Sequence, residues 1–320
     1  MRNKAKLIRA AGTVTFRGTG RNTEVMVVHR HYRKDWSLPK GKKDKGEYLP
    51  ATAYRETLEE SGVATQLRVP LLPVNYEWNG TPKVVRYWLA EPVDPALAAG
   101  DRDLPDNWQP NDEVDEIRWV RINKLVGLLT YPRDLNTVLD AFSRSRHTLP
   151  MILLRHADAQ KRADFADEHG GLPPHDHLRP LNKYGTALTS NIADVLRAYG
   201  IKRVHSSPAK RCLDTVGLNF VSPDQIVHEP HFSEYGAAEN EDGAKLRIQK
   251  LSTSPQPLVI CSHRPVLPTL IRSVVHETKS PEPETKISPG GFVVFHRPVR
   301  PSGGIRTGHS FITESSADYQ

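Results

Sequence analysis

Glu56, Glu59 and Glu60 stand at spacings i, i+3 and i+4, so a helix through them puts three carboxylates on one face. Three carboxylates on one face repel one another unless a cation neutralises them. Hard oxygen ligands in this arrangement suit Mg2+ or Mn2+ shared with a substrate phosphate. Gly41 is followed by Glu47, then by Arg55-Glu56, Glu59-Glu60, Gly62 and Val63, and Lys40, Lys42, Lys43 and Lys45 add positive charge beside them. A phosphoanhydride is kinetically stable because its oxyanions repel a nucleophile. Divalent cations that bridge those oxygens, and lower the pKa of attacking water, open it to hydrolysis. A bare Arg-Glu-x-x-Glu-Glu turn would read as a solvated helix face; both glycines in place favour a site.

A second group lies further on. Met151 to Leu154 is an apolar run that ends in Arg155-His156, and Leu258 to Cys261 is another that reaches His263. Between them, Ser207-Pro208-Ala209-Lys210-Arg211 opens a helix. A lone His after a strand is usually structural, and the two partners raise the odds of a site. Cys212 and Cys261 are the only cysteines. They form neither a disulfide framework nor a zinc spacing, which suggests a reducing cytoplasm, and they read as buried fillers.

These residues need elements to hold them. In the first half, short β-rich runs at Ala10 to Phe16 and Glu24 to His29 flank a turn. Leu49 to Ser61 is the helix of the glutamates, stopped by Gly62. Val84 to Ala90 is a strand, and alternation over Glu113 to Val120 predicts a half-buried strand. Pro132 to Ser145 is an amphipathic helix with Leu135, Val138, Leu139 and Phe142 on one side. Asp94 to Gln109 reads as a loop insertion. A new strand begins at Leu149, followed by a helix over Asn182 to Tyr199, a strand end at Arg203 to Ser206, a helix over Pro208 to Phe220, a strand over Pro257 to Cys261 and a helix over Val266 to His276. This alternation predicts a parallel α/β sheet. Ser280 to Ser288 is expected as a loop, and the tail after Pro298 as poorly ordered. The 320 residues therefore divide into two domains, 1–147 and 148–320.

The net charge is +7. Residues 1–147 carry 24 Lys/Arg against 19 Asp/Glu, and residues 148–320 carry 20 against 18. Neither half has the dense basic stripe of a duplex binder, so small anionic substrates, not nucleic acid, are the expected partners. No apolar run approaches the roughly 20 residues of a membrane span, and the basic start lacks the apolar stretch of a signal peptide. Self-association is not readable from the sequence.

Residues 41–63, with Trp36-Ser37-Leu38-Pro39-Lys40 before them and Glu113 and Trp119 after, resemble the Nudix hydrolase family across roughly residues 5–147. Thr57 is the one departure, where the family usually has an aliphatic residue. The resemblance implies an α/β/α sandwich with a mixed sheet. By position it makes Glu56, Glu59 and Glu60 metal ligands, the Gly41 carbonyl an extra ligand and Glu47 a second-site ligand. Arg55 would orient a carboxylate, and the base for water would be Glu59 or Glu113. Leu-Pro-Lys-Gly resembles the branch acting on dinucleoside polyphosphates. Candidate substrate contacts are Ser37, Lys40, Lys42, Lys43, Lys83 and Tyr87, with Arg86 beside them.

Residues 148–320 resemble the histidine phosphatase superfamily, again α/β/α, with Arg-His-Ala in place of the commoner Arg-His-Gly. There His156 would attack phosphorus and carry the phosphoryl group. Arg155, Arg211 and His263 would clamp the equatorial oxygens, Arg by planar two-pronged contacts. Glu234 would give the leaving group its proton. The order of the two domains resembles the two-domain bacterial MutT-type proteins. That implies hydrolysis of 8-oxo-GTP and 8-oxo-dGTP to the diphosphates, with dinucleoside polyphosphates as additional substrates. The competing expectation is a dinucleoside polyphosphate or diphosphoinositol-type hydrolase whose second domain is a regulatory or scaffold module.

Overall fold

Strand alternation builds the first sheet. In a computed structural model, which describes residues 7–106, 108–170, 175–300 and 302–319, the chain forms two compact units, Met1–Arg146 and His147–Gln320. In the first unit, β1 (Ile8–Arg17) lies parallel to β7 (Thr81–Pro92) and antiparallel to β2 (Glu24–Arg30) and β4 (Lys40–Lys42), so the sheet is mixed. β3 (Asp35–Ser37) and β8 (Glu116–Arg121) extend it through β2, and β5 (Thr65–Pro70) and β6 (Val74–Trp78) pair with β7.

Period-two alternation places helices on both faces of β1. Thr13 faces α1 (Leu49–Ser61), where its hydroxyl meets that of Thr57 at 2.9 Å. Phe16, of opposite parity, packs edge-on against Phe142 of α3 (Pro132–Ser143). Thr57 is thus a buried hydroxyl with a partner, and Thr13 bonds on to Thr15 at 2.8 Å. Gly62 ends α1 in the left-handed region, φ +67°, where only glycine is unstrained.

Several expectations need correction. Alternation over Glu113 to Val120 gives a shorter strand, β8, because Asn111 Oδ1 accepts the Glu113 and Val114 amides and holds them in a turn. The inward face of α3 is Asp134, Thr137, Val138 and Ala141, while Leu139 and Phe142 are largely exposed. Residues 94–109 are not wholly loop: Asp94 caps a short helix, α2 (Pro95–Ala99), by accepting the Ala96 amide.

The second unit is a six-stranded sheet. The strands β11 (Ile226–His228), β10 (Arg203–Ser206), β12 (Leu258–Ser262) and β9 (Thr148–Arg155) run parallel in that order. β13 (Phe292–Pro298) and β14 (Ile312–Ser315) continue it antiparallel, so the sheet is not wholly parallel. The tail after Pro298, expected as poorly ordered, supplies β14, whose neighbour Phe311 is buried against the core. Helices α4 (Arg162–Glu168), α5 (Lys183–Ala198), α6 (Lys210–Gly217), α7 (Glu234–Glu239), α8 (Glu241–Ser252) and α9 (Leu267–Thr278) complete the unit. β9 and β12 end immediately before His156 and His263, at the carboxyl edge of the sheet where such folds place their sites.

Arg297 ties this sheet together. It is fully buried, and its guanidinium donates to the carbonyls of Ser254 at 2.8 Å, Gln256 at 2.6 Å and Pro150 at 3.2 Å, and to the last-turn carbonyls of α8 at Leu251 and Ser252. Leu251, Ser252 and Pro150 among them are buried, so losing the guanidinium leaves their carbonyls short of a partner. Arg297→Met should therefore destabilise the second unit by about 3 kcal/mol or more, the scale of breaking a buried charged network. Hydrogen exchange of the β13 amides in urea checks this, and an unchanged unfolding midpoint would contradict it.

Candidate active site

The α1 carboxylates converge on one guanidinium. Arg55 Nε donates to Glu47 Oε1 at 2.9 Å, and Nη1 donates to Glu56 Oε1 at 2.8 Å and to Glu59 Oε2 at 2.9 Å. Nη2 reaches Glu47 Oε2 and the Lys42 carbonyl, both at 3.1 Å. Glu60 is buried, and its Oε2 accepts the Lys40 backbone amide at 3.0 Å. Burial pushes the Glu60 carboxyl up to about 7, against the pull of Lys40 and Arg30. Burial also raises Glu56, opposed by Arg55 and reinforced by Glu59 and Glu113. Burial works against the Glu47 carboxylate too, but the bonds from Arg55, the Asp44 amide and the Thr52 hydroxyl win and hold it low.

Gly41 lies directly against this cluster, and a Cβ built there would overlap the Glu56 carboxylate. Glu113 stands on the loop before β8, exposed, and Asn111 Nδ2 ties that loop to the Glu59 carbonyl at 3.3 Å. Among the described residues, no group of three His, Cys, Asp or Glu side chains is assembled as a metal cage. Arg55 holds Glu56 and Glu59 through its own Nη1 instead. Hard oxygens, one of them largely desolvated, still suit Mg2+, which takes one or two carboxylates and completes its shell with water and substrate phosphates.

The expected substrate contacts separate. Lys42 ends β4, and Lys43 and Lys45 lie on the loop before α1, with Lys42 and Lys45 exposed. Ser37, Lys40 and Tyr87 are buried. Lys40 Nζ approaches Ser37 Oγ at 3.4 Å and the Leu38 carbonyl at 3.3 Å, and burial, then Arg30, lowers its pKa. The Tyr87 phenol is raised well above its usual value, by burial first and then by Asp134. Strand pairing places these three inside, so they support the site from beneath and offer no exposed contact.

Lys83 differs. Burial, then Lys40, Arg30, Arg33 and Lys42, pushes it down to about 8. It belongs to a basic, aromatic surface that the sequence reading missed. Arg33 stacks on Trp78 at 4.5 Å, Arg133 on Tyr76 at 4.2 Å and on Tyr131 at 4.1 Å, and Lys83 lies 5.7 Å from the Tyr76 ring. The signal was present: Asn79-Gly80 is a strong hairpin turn, both residues at positive φ, and it pairs β6 with β7. Beneath lies a second missed feature. Arg30 makes two bonds to Asp35, at 2.8 and 2.6 Å, and the Tyr131 hydroxyl donates to Asp35 at 2.8 Å.

In the second unit, a cleft of about 600 Å3 is lined by Arg162, Asp176, Arg211, Glu234 and His263, among others. The His156 and His263 rings meet edge-on, with centroids 5.3 Å apart. His156 Nδ1 lies 2.7 Å from the Ala157 carbonyl, so the neutral ring donates there and leaves Nε2 as the free base. Burial pushes His156 down to about 4, against the pull of Cys212 and Ala157. Arg211 Nη2 lies 3.0 Å from Asp176, 3.2 Å from Glu234 and 3.2 Å from His263 Nδ1. His263 Nε2 pairs with Ser207 Oγ at 2.8 Å.

Two of the expected roles meet a different arrangement. Glu234 is held ionised: burial opposes it, but His263, Arg162 and Arg211 win. A proton donor must first be protonated, so Glu234 needs those pairs broken before it gives a proton. Arg155 donates to the Ile287 carbonyl and walls a neighbouring pocket, while Glu234 of the cleft still acts on it. Cys212 and Cys261 are both buried and unpaired, and Cys212 Sγ lies 3.5 Å from His263 Nε2.

Residues 6–142 match the family model described as the NUDIX domain. Among curated proteins, the chain is 32% identical over 274 residues to the 8-oxo-(d)GTP phosphatase of Mycolicibacterium smegmatis, covering 82% of this chain and 80% of that one. It is 29% identical to the asymmetrical bis(5'-nucleosyl)-tetraphosphatase of Caenorhabditis elegans, over 43% of this chain and 95% of that one. Among solved structures, the C. elegans Ap4A hydrolase binary complex aligns at 27% identity and a TM-score of 0.36, over 42% of this chain and 95% of that one.

Two outcomes follow from the geometry. Gly41→Ala should lower turnover of a nucleoside triphosphate by at least about 10²-fold, the scale of a 1 Å misplacement near the chemistry, with unchanged circular dichroism. Normal turnover would contradict it. His156 should show no titration by NMR between pH 5 and 8. Its folded pKa of about 4 lies below the ordinary 6.5, so the unfolded chain binds the extra proton between those values. Stability of the second unit then falls as pH drops through that window, by up to about 3 kcal/mol.

Proposed function

We infer the function of this chain from its family: the chain belongs to the Nudix hydrolases and is an enzyme of that kind. The proposed reaction is metal-dependent hydrolysis of a nucleotide phosphoanhydride. The preferred substrates are 8-oxo-GTP and 8-oxo-dGTP, released as diphosphates, with dinucleoside polyphosphates as additional substrates. The observation that carries this is the pairing of two surfaces in one unit. A carboxylate cluster is gathered by Arg55, and a basic face of Arg33, Lys83 and Arg133 is laid over Tyr76, Trp78 and Tyr131. A nucleoside polyphosphate offers a planar base to the rings and oxyanions to the cations.

Mg2+ or Mn2+ held by Glu56, Glu59 and Glu60, with the Gly41 carbonyl and Glu47 beside them, would neutralise phosphate oxygens and acidify water. The chain's own residues do the rest. Arg55 fixes the carboxylates in register. Glu59 or Glu113, both exposed, accepts the proton of the attacking water. Lys83, pushed down to about 8 by burial and neighbouring cations yet still mostly charged at neutral pH, meets the polyphosphate together with Arg33 and Arg133. The names of the M. smegmatis and C. elegans relatives support both substrate classes.

For the second unit, the proposal is a histidine phosphatase-like site. His156 Nε2 attacks phosphorus, and the bond from phosphorus to the leaving oxygen breaks. Arg211 and His263 hold the equatorial oxygens. Once the incoming phosphate has displaced it from Arg211 and His263, the Glu234 carboxylate takes up a proton from solvent and passes it to the leaving oxygen. Water then releases phosphate from His156.

Glu60→Gln should cut nucleoside triphosphate turnover by at least about 10²-fold, and a chelator should do the same. Normal rates in either case would end the metal-hydrolase reading. Competition kinetics test the substrate: kcat/KM should favour 8-oxo-dGTP over dGTP. Equal values would leave the dinucleoside polyphosphate reading ahead.

A further inference from the structure

Arg155, immediately before His156, walls a pocket of its own. This pocket of about 380 Å3 is also lined by Arg264, Glu284, Lys286, Ser288 and Ser316. Arg155 Nη1 donates to the Ile287 carbonyl at 2.8 Å, while its Nε is buried without a hydrogen-bond partner. Three cations meet one carboxylate here, and that carboxylate already accepts the Lys286 backbone amide at 2.7 Å. Burial first, then Arg264, depresses Arg155, and Asp158 and Glu234 oppose them. Three cations against the one lining carboxylate leave an excess of positive charge, and serine hydroxyls beside them suit an oxyanion's hydrogen bonds.

The pocket is fixed to the backbone that carries His156. The Gly290 amide donates to the carbonyls of both Arg155 and His156, at 3.2 and 3.1 Å. The Arg155 amide donates to Gly291 at 2.9 Å, and the Phe292 amide donates to Ser316 Oγ at 2.9 Å. Arg264 directly follows His263 in the chain. His156 and His263, whose rings meet edge-on, therefore each have a neighbouring arginine on this second pocket.

We propose that the Arg155–Arg264–Lys286 pocket is a seat for a phosphate-class oxyanion, namely a second phosphoryl group on the compound attacked at His156. The substrate part of this inference rests on the phosphatase reading of the His156 cleft; the anion seat does not. The substrate class is one with two phosphoryl groups, such as a nucleoside diphosphate or a bisphosphate. Free inorganic phosphate has the same chemistry, so the test separates the two.

The test uses the full chain in chelator. Inorganic phosphate is titrated calorimetrically into wild type, Arg211→Ala and Arg264→Ser/Lys286→Ser. The double variant should lose, or weaken at least about tenfold, one binding event that Arg211→Ala retains, the scale of a charge-assisted contact. Arg264 and Lys286 are exposed, so thermal unfolding should stay unchanged. An isotherm for the double variant identical to wild type overturns the seat. An isotherm unaffected by Arg211→Ala instead removes the phosphatase reading and leaves the seat standing. Turnover then assigns the anion. For the double variant, KM should rise about tenfold for a nucleoside 5'-diphosphate and stay the same for phenyl phosphate. Equal KM changes for both compounds overturn the assignment to the substrate's second phosphate.

Discussion

Repulsion between carboxylates on one face of α1 is the constraint that organises the first unit. Glu56 and Glu59 are held by a single Arg55, which is also bound to Glu47. One guanidinium offsets one charge of three, and the deficit shows in Glu56, whose carboxyl rises through burial and its acidic neighbours. Glu60, buried, rises to about 7. Gly41 completes the arrangement by leaving room for the Glu56 carboxylate where any side chain would collide. The backbone, the arginine and the glycine together hold an excess of negative charge that an incoming cation would relieve.

The surrounding residues carry the opposite sign. Buried Arg30 is tied to Asp35, which also accepts the Tyr131 hydroxyl, and buried Lys40 lies among Glu60, Asp134 and Asp35. Above them, Arg33, Lys83 and Arg133 are spread over aromatic rings that fix their positions at low entropic cost. An acidic cluster beside a basic, aromatic face suits a ligand that brings phosphates, a planar base and a cation together. The second unit solves a related problem without the acidic helix. There Arg211 is matched by Asp176 and Glu234, and Glu234 also lies against His263, contacts that an incoming phosphate must displace.

How much of this the sequence disclosed depended on range. Leu49 to Ser61 was legible as a helix with the same bounds the structure shows, because its spacing and the Gly62 stop are both local. The strands ending at His156 and His263 were equally visible as apolar runs. The basic, aromatic face was not, because Arg33, Trp78, Lys83 and Arg133 come from four separate segments and meet only through sheet pairing. Ser37 and Lys40 stand beside the motif and Tyr87 lies on β7, yet the sheet turns all three inward, and nothing in residue type distinguishes an inward lysine from an outward one. Thr313 and its neighbours look polar and tail-like, but β14 is ordered by pairing with β13, a partner that the local pattern does not reveal.

The central claim is that the α1 carboxylates are short of positive charge and hold a divalent cation. Electron paramagnetic resonance of Mn2+ titrated into the full chain tests it most directly, because it reads the metal without substrate or turnover. Wild type should bind Mn2+ at a site that Glu56→Gln weakens by at least about tenfold, the loss expected for one carboxylate contact. Glu234→Gln, in the other unit, should leave that binding unchanged. Equal Mn2+ affinity in wild type and Glu56→Gln would contradict the account.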